Sequence, residues 1–115
     1  MEMEEEETVV EELKALLDSR QFTKLRQTIS EMNTTDIATA MSEMEDEDSL
    51  KMFRILPKDM AADVFADLEL DVQQYIIRSM SDREASNIIE NLMADDATDI
   101  LEEMPANIVK KILAG

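Results

Sequence analysis

Large hydrophobic residues recur at every twelfth position along most of this chain. Leu17, Ile29, Met41, Phe53, Phe65, Ile77, Ile89, Leu101 and Leu113 form one such track. The residue before each gives a second: Leu16, Thr28, Ala40, Met52, Val64, Ile76, Ile88, Ile100 and Ile112, with Thr28 the one polar member. A third runs through Met32, Met44, Leu56, Leu68, Met80, Leu92 and Met104. Self-similarity at a fixed period marks a repeat architecture, in which each unit covers its apolar edge only by stacking on its neighbours.

Within most twelve-residue units the apolar positions fall near the start, at an adjacent pair in the middle and at the end. That spacing draws one stripe down a helix of about ten residues. Alternating apolar and polar runs are missing, and no Asn-Gly or Asp-Gly turn occurs, so strands are not expected. The pattern predicts about nine short helices, near 9–18, 22–31, 34–43, 47–55, 58–67, 70–79, 82–91, 94–103 and 106–113. The fold class expected is all-α: a right-handed superhelical α-solenoid with a 12-residue half-repeat, built from 24-residue hairpins.

Helix punctuation follows the same beat. Ser81-Asp-Arg-Glu84 reads as a capping box, and Asp71-Val-Gln-Gln74 as a looser one. Thr34 or Thr35 is placed to cap the helix carrying Ile37, Ala40 and Met41. Pro57 and Pro105 each follow a third-track residue, where a first-turn proline is tolerated. Residues 1–8 are set apart as a disordered acidic N-terminus, since a run of Glu has little apolar surface to dock. Residues 9–115 make one helical-repeat domain, a size suited to the 115-residue chain.

Composition narrows the chemistry. Apolar residues make up 44% of the chain but aromatics only 3%, so the core is aliphatic. Ten Met residues, many on the periodic tracks, serve as packing. Without Cys or His there is no thiol nucleophile, imidazole base, disulfide or zinc finger. The single Gly is Gly115, which rules out a glycine-rich phosphate loop and an EF-hand turn. The acidic start is no signal peptide, and no apolar run is long enough to cross a bilayer. Enzymatic activity is not expected.

Net charge is −17, with seven Glu in residues 1–12. Such a surface repels nucleic acid and anionic lipid and attracts cations or basic partners. Carboxylates at i and i+4 share a helix face about 5–6 Å apart. Asp95 and Asp99 have that spacing, Asp96 lies beside them, and Asp99 with Glu103 continues the row. Asp59, Asp63 and Asp67 form a second stripe. A hard cation such as Mg2+, which takes one or two carboxylates and keeps several waters, suits such rows. Two readings stand side by side for Asp95 and Asp96, because the helix dipole also stabilises acids in a first turn without any metal. The stretch Glu45-Asp-Glu-Asp48 reads as a solvated loop and helix start rather than a ligand cage.

Leu13-Lys-Ala-Leu-Leu17 leads into Phe22-Thr-Lys-Leu25, followed by Thr35-Asp-Ile-Ala38, Ile55-Leu-Pro57, Ala61-Ala-Asp-Val64 and Met80-Ser-Asp82. The series closes on Asp95-Asp-Ala-Thr-Asp-Ile-Leu-Glu-Glu-Met-Pro105. In order and spacing these motifs resemble the N-terminal cytosolic domain of MgtE-type magnesium transporters, from about Leu13 to Leu113. The resemblance implies a helical domain on the cytoplasmic face of the membrane, part of a dimeric Mg2+ transporter. CBS modules and a transmembrane domain would be its partners. It further implies that Mg2+ bridges acidic surfaces of these parts and so gates transport. The bridging acids carry over to Asp95 and Asp99, with Asp96 adjacent, and to Asp63, where the family often has Glu. The family usually opens the Asp-Asp helix with Ser-Pro; this chain has Met93-Ala94. No CBS module or membrane helix lies in these residues, as expected of an isolated domain or a stand-alone relative. The alternative is an acidic α-solenoid interaction scaffold, akin to the helical repeats of flagellar motor switch proteins.

The stacking pattern makes a direct prediction. Phe65→Asp places an unpaired charge on a core track, at a cost of several kcal/mol, and should abolish the cooperative thermal transition followed by circular dichroism.

Overall fold

The twelve-residue cadence resolves into nine helices among the described residues. In the computed structural model the described backbone covers residues 2–115 and the described side chains 9–115. The helices are α1 (Glu2–Asp18), α2 (Phe22–Ser30), α3 (Thr34–Ser42), α4 (Asp46–Ile55) and α5 (Lys58–Asp67), then α6 (Leu70–Arg78), α7 (Asp82–Glu90), α8 (Ala94–Glu103) and α9 (Ala106–Ala114). No strand occurs among the described residues. From α2 onward each boundary falls within a residue of the expected one. The exception is α1, which is drawn back to Glu2. Once Leu13, Leu16 and Leu17 anchor the helix, each added residue gains a backbone hydrogen bond for little further cost, and acids favour a helix N-terminus. The expected disorder of residues 1–8 falls on residues whose side chains lie outside those described.

The caps follow backbone geometry more than motif. Ser81 caps α7 as expected: its hydroxyl accepts from the Glu84 N–H at 3.2 Å and donates to the Glu84 carboxylate at 3.1 Å. At α3 the cap is Asn33, whose side chain accepts from the Asp36 N–H at 2.8 Å; Thr34 and Thr35 are already helical. Asn is the stronger cap, and its use leaves Ile37 and Met41 on the core face. No Asp71 cap forms, because the N-cap position falls two residues earlier, at Glu69, and Asp71 is already helical. Pro57 and Pro105 stand just ahead of α5 and α9, one position before the first turn.

The odd-numbered helices form one row, α3 packing on α1 and α5, and α7 on α5 and α9. In the other row α4 packs on α6, while α1–α4, α3–α4 and α6–α9 contacts tie the rows together. Stacking each helix on the one two places along is how a solenoid grows. The result measures 40 × 28 × 22 Å. Leu17, Ile29, Met41, Phe53, Phe65, Ile77 and Ile89 are all buried. The Phe53 and Phe65 rings meet edge to face, centroids 5.9 Å apart. The track then fades: Leu101 is half-buried and Leu113 is exposed, because α9 packs on α6 and α7 through the face bearing Ile108 and Ile112. Third-track residues occupy the turns between helices, and from Leu56 to Met104 each is buried there.

A fourth track, broken by the polar residues Ser49 and Gln73, runs through Leu13, Leu25, Ile37, Ser49, Ala61, Gln73, Ala85, Ala97 and Val109. Ser49 and Gln73 are buried, 24 residues apart. Each donates a hydrogen bond to a carbonyl eight residues back, Ser49 to Met41 and Gln73 to Phe65, the latter at 2.8 Å. The same side-chain clasp thus closes two successive hairpins, α3–α4 and α5–α6. It fills the second lone pair of carbonyls already bonded by the N–H groups of Met44 and Leu68.

One turn is built differently. At the end of α1 the Arg20 N–H donates to the Leu17 carbonyl at 3.1 Å and the Gln21 N–H to the Leu16 carbonyl at 3.0 Å. This Schellman closure puts Arg20 at φ 59°, a left-handed conformation usually taken by Gly. It is the one positive φ among the described residues.

Replacing the clasp tests its contribution. Gln73→Ala loses a buried hydrogen bond and leaves a void, so urea denaturation should show a loss of about 1–3 kcal/mol. Gln73→Leu, which restores volume, should recover part of it.

Candidate metal-binding surface

The acids singled out by sequence sit on two helices. In α8, Ile100 is buried and fixes the rotation of the helix. That rotation leaves Asp95 and Asp99 exposed and Asp96 half-buried. One turn separates Asp95 from Asp99, so both carboxylates lie on one face, and exposed Glu103 extends the row. In α5, buried Val64 and Phe65 turn Asp59, Asp63 and Asp67 to solvent. The Thr35 hydroxyl of α3 reaches the Asp67 carboxylate at 3.4 Å.

The structure brings Asp95, Asp96 and Asp99 onto one helix but does not gather Asp63 with them. The main contacts of α5 run to α3 and α7. Among the described residues no three acidic side chains converge on a point where a metal ion could be held. The described ion pairs, Lys14–Asp48, Arg54–Glu84 and Lys111–Asp82, include none of the four candidate acids. None of the four forms an ion pair with a described Lys or Arg. Hard carboxylate donors at i and i+4 fit part of a Mg2+ shell and not a closed cage.

The start of α8 bears on how those acids are used. Met93 holds the N-cap position at φ −62°, ψ 147°, with no side-chain cap bond. Asp95 and Asp96 occupy the first turn, where the dipole favours them. Twelve residues earlier Ser81 has nearly the same backbone, φ −67°, ψ 160°, and does cap.

Elsewhere the acids have structural roles. Of Glu45-Asp-Glu-Asp48, the first three are exposed, but Asp48 is buried in the first turn of α4, with the Lys14 ammonium 3.9 Å away. The expected solvated stretch thus holds one inward acid, because the helical turn points Asp48 toward α1. The Glu84 carboxyl lies below the ordinary glutamate range. The hydrogen bond with the Ser81 side chain is the main cause, and the Ser81 backbone and the Arg54 guanidinium add to it. No residue spacing announced the Asp48 or Glu84 pairings, since both join separate helices.

Residues 32–115, from the turn before α3 through α9, match the family described as MgtE intracellular N domain. The chain belongs to that family. Membership indicates the cytosolic domain of a magnesium transporter, a regulatory and not a catalytic family. Helices α1 and α2 precede the matched stretch, so Leu13–Leu17 and Phe22–Leu25 lie outside it, while all four candidate acids lie within it. No curated protein matches the chain. No described helix of this MgtE-family domain is long and apolar enough to cross a membrane.

Met93→Ser supplies the missing cap on a backbone already shaped for it. It should stabilise the fold by about 1 kcal/mol in urea denaturation.

Proposed function

We propose that this domain senses intracellular Mg2+ for an MgtE-type transporter. Asp95 and Asp99, helped by Asp96, present one carboxylate face on α8, and Asp63 presents another on α5. Each supplies part of a shell whose remaining oxygens come from water and from acids of the partner CBS modules and membrane-linked segments. The observation that carries this reading is the exposed Asp95–Asp99 pair, one turn apart and unpaired with any described base, in a chain of this family.

The physics is linkage. Two acidic surfaces repel when brought together, and a divalent ion between them reverses the sign of that interaction. Mg2+ therefore favours the closed arrangement by its differential affinity for it, and loss of the ion lets the parts separate and the pathway open. In a dimeric transporter at the cytoplasmic face of the membrane, this couples internal Mg2+ to transport. A shared shell also accounts for the lack of a three-acid cluster within the described residues.

Mg2+ titration of the chain, followed by amide chemical shifts, tests the assignment. Saturable shifts centred on Asp95 and Asp99 are expected, and Asp99→Ala should remove them. Small uniform shifts across the acidic surface would reduce the effect to ionic screening and overturn the reading.

A further inference from the structure

On a chain with 28 acids and 11 bases, a groove with more cations than anions stands out. Arg20, Lys51 and Arg54 line a cleft of about 420 Å3 between the α1–α2 turn and α4, with Asp18 its one acid. Between the cations lie apolar walls: Leu17 is buried, Ile55 half-buried, and Phe22 is 40% exposed. Most other large hydrophobic side chains of the described fold are covered. Arg20 and Lys51 have no carboxylate partner among the described residues. Arg54 bonds Glu84 at 3.2 Å, with both side chains about half exposed, and a guanidinium has further donors to offer.

The second observation is backbone strain. Arg20 sits at φ 59° in a position that Gly would occupy more stably. A left-handed residue with a long charged side chain, held at the lip of this groove, points to use of that side chain.

We infer that the groove docks an acidic peptide segment of a partner protein, carrying an apolar anchor. Its carboxylates pair with Arg20, Lys51 and Arg54, and its apolar side chain covers Phe22 and Ile55. The apolar walls give a free phosphate nothing to fill them. The net charge of −17 works against an extended polyanion such as nucleic acid or an anionic membrane. A short acidic segment with an anchor satisfies both the local charge and the exposed ring. The contact needs no metal ion and lies on α1, α2 and α4, apart from the acids of α5 and α8, so it goes beyond the Mg2+ reading.

Fluorescence anisotropy with a labelled Glu-Asp-Glu-Leu-Phe-Asp-Glu peptide, at low ionic strength and in EDTA, tests it. Saturable binding is expected. It should weaken roughly tenfold or more with Lys51→Glu, an exposed position that leaves the core intact. It should weaken similarly when Leu-Phe in the peptide becomes Ser-Ser. Arg20→Gly separates structure from recognition: the variant should melt at or above the wild-type temperature yet bind the peptide more weakly. No binding, equal binding by Lys51→Glu, or indifference to Leu-Phe would overturn the inference. So would displacement by inorganic pyrophosphate at concentrations matching the peptide, which marks a small-anion site, or occupation of the groove by a second copy of the chain in sedimentation. EDTA makes the result independent of any Mg2+ response.

Discussion

Helices of nine or ten residues do not persist alone in water, because nucleation consumes most of what so few backbone hydrogen bonds return. Contact between helices two places apart supplies the missing stabilisation here. α3 rests on α1 and supports α5, and α7 rests on α5 and supports α9. The apolar stripes of α3, α5 and α7 therefore each face a neighbour on both sides. Loss of one unit removes cover from the next. This explains why the core is continuous from Leu13 to Ile112. Apart from Phe53 and Phe65 it is aliphatic, with unbranched Met at Met41, Met52, Met80 and Met104 filling irregular gaps.

The same constraint determines the surface. When so much of each short helix faces inward, charge is crowded onto what remains, and most of it is acid. Self-repulsion of that shell is a standing cost to the compact state, and anything that neutralises acids between parts of a larger assembly lowers it. The family's association with magnesium transport and the exposed row on α8 meet at this point. The basic groove beside Phe22 is the local exception, assembled from the α1–α2 turn and α4, which are distant in sequence. It suits a different partner chemistry.

Much of this was legible without coordinates. Period twelve located the helices, and Ser81-Asp-Arg-Glu84 announced its own cap. The buried clasp was not legible, since Ser49 and Gln73 are polar residues in a register that is otherwise apolar. Ser and Gln are buried there because a carbonyl at the end of the preceding helix has a spare lone pair within reach. Asp48 escaped for a similar reason, its burial depending on α1 passing over the first turn of α4. Asn33 displaced Thr34 as a cap because capping depends on where the backbone leaves the extended region, which composition does not specify.

By itself, then, the order of residues determined helix type, number and inward faces, because the period of apolar side chains along a strand of peptide is a local property. It also determined that Asp95 and Asp99 share a face, which follows from 3.6 residues per turn. Only the tertiary structure decided that Asp63 stands apart from them, that Ser49 and Gln73 turn inward, and that Arg20, Lys51 and Arg54 meet around Phe22. Each of these depends on how one helix is set against another. That setting comes from many weak contacts acting together, and no short stretch of sequence contains it.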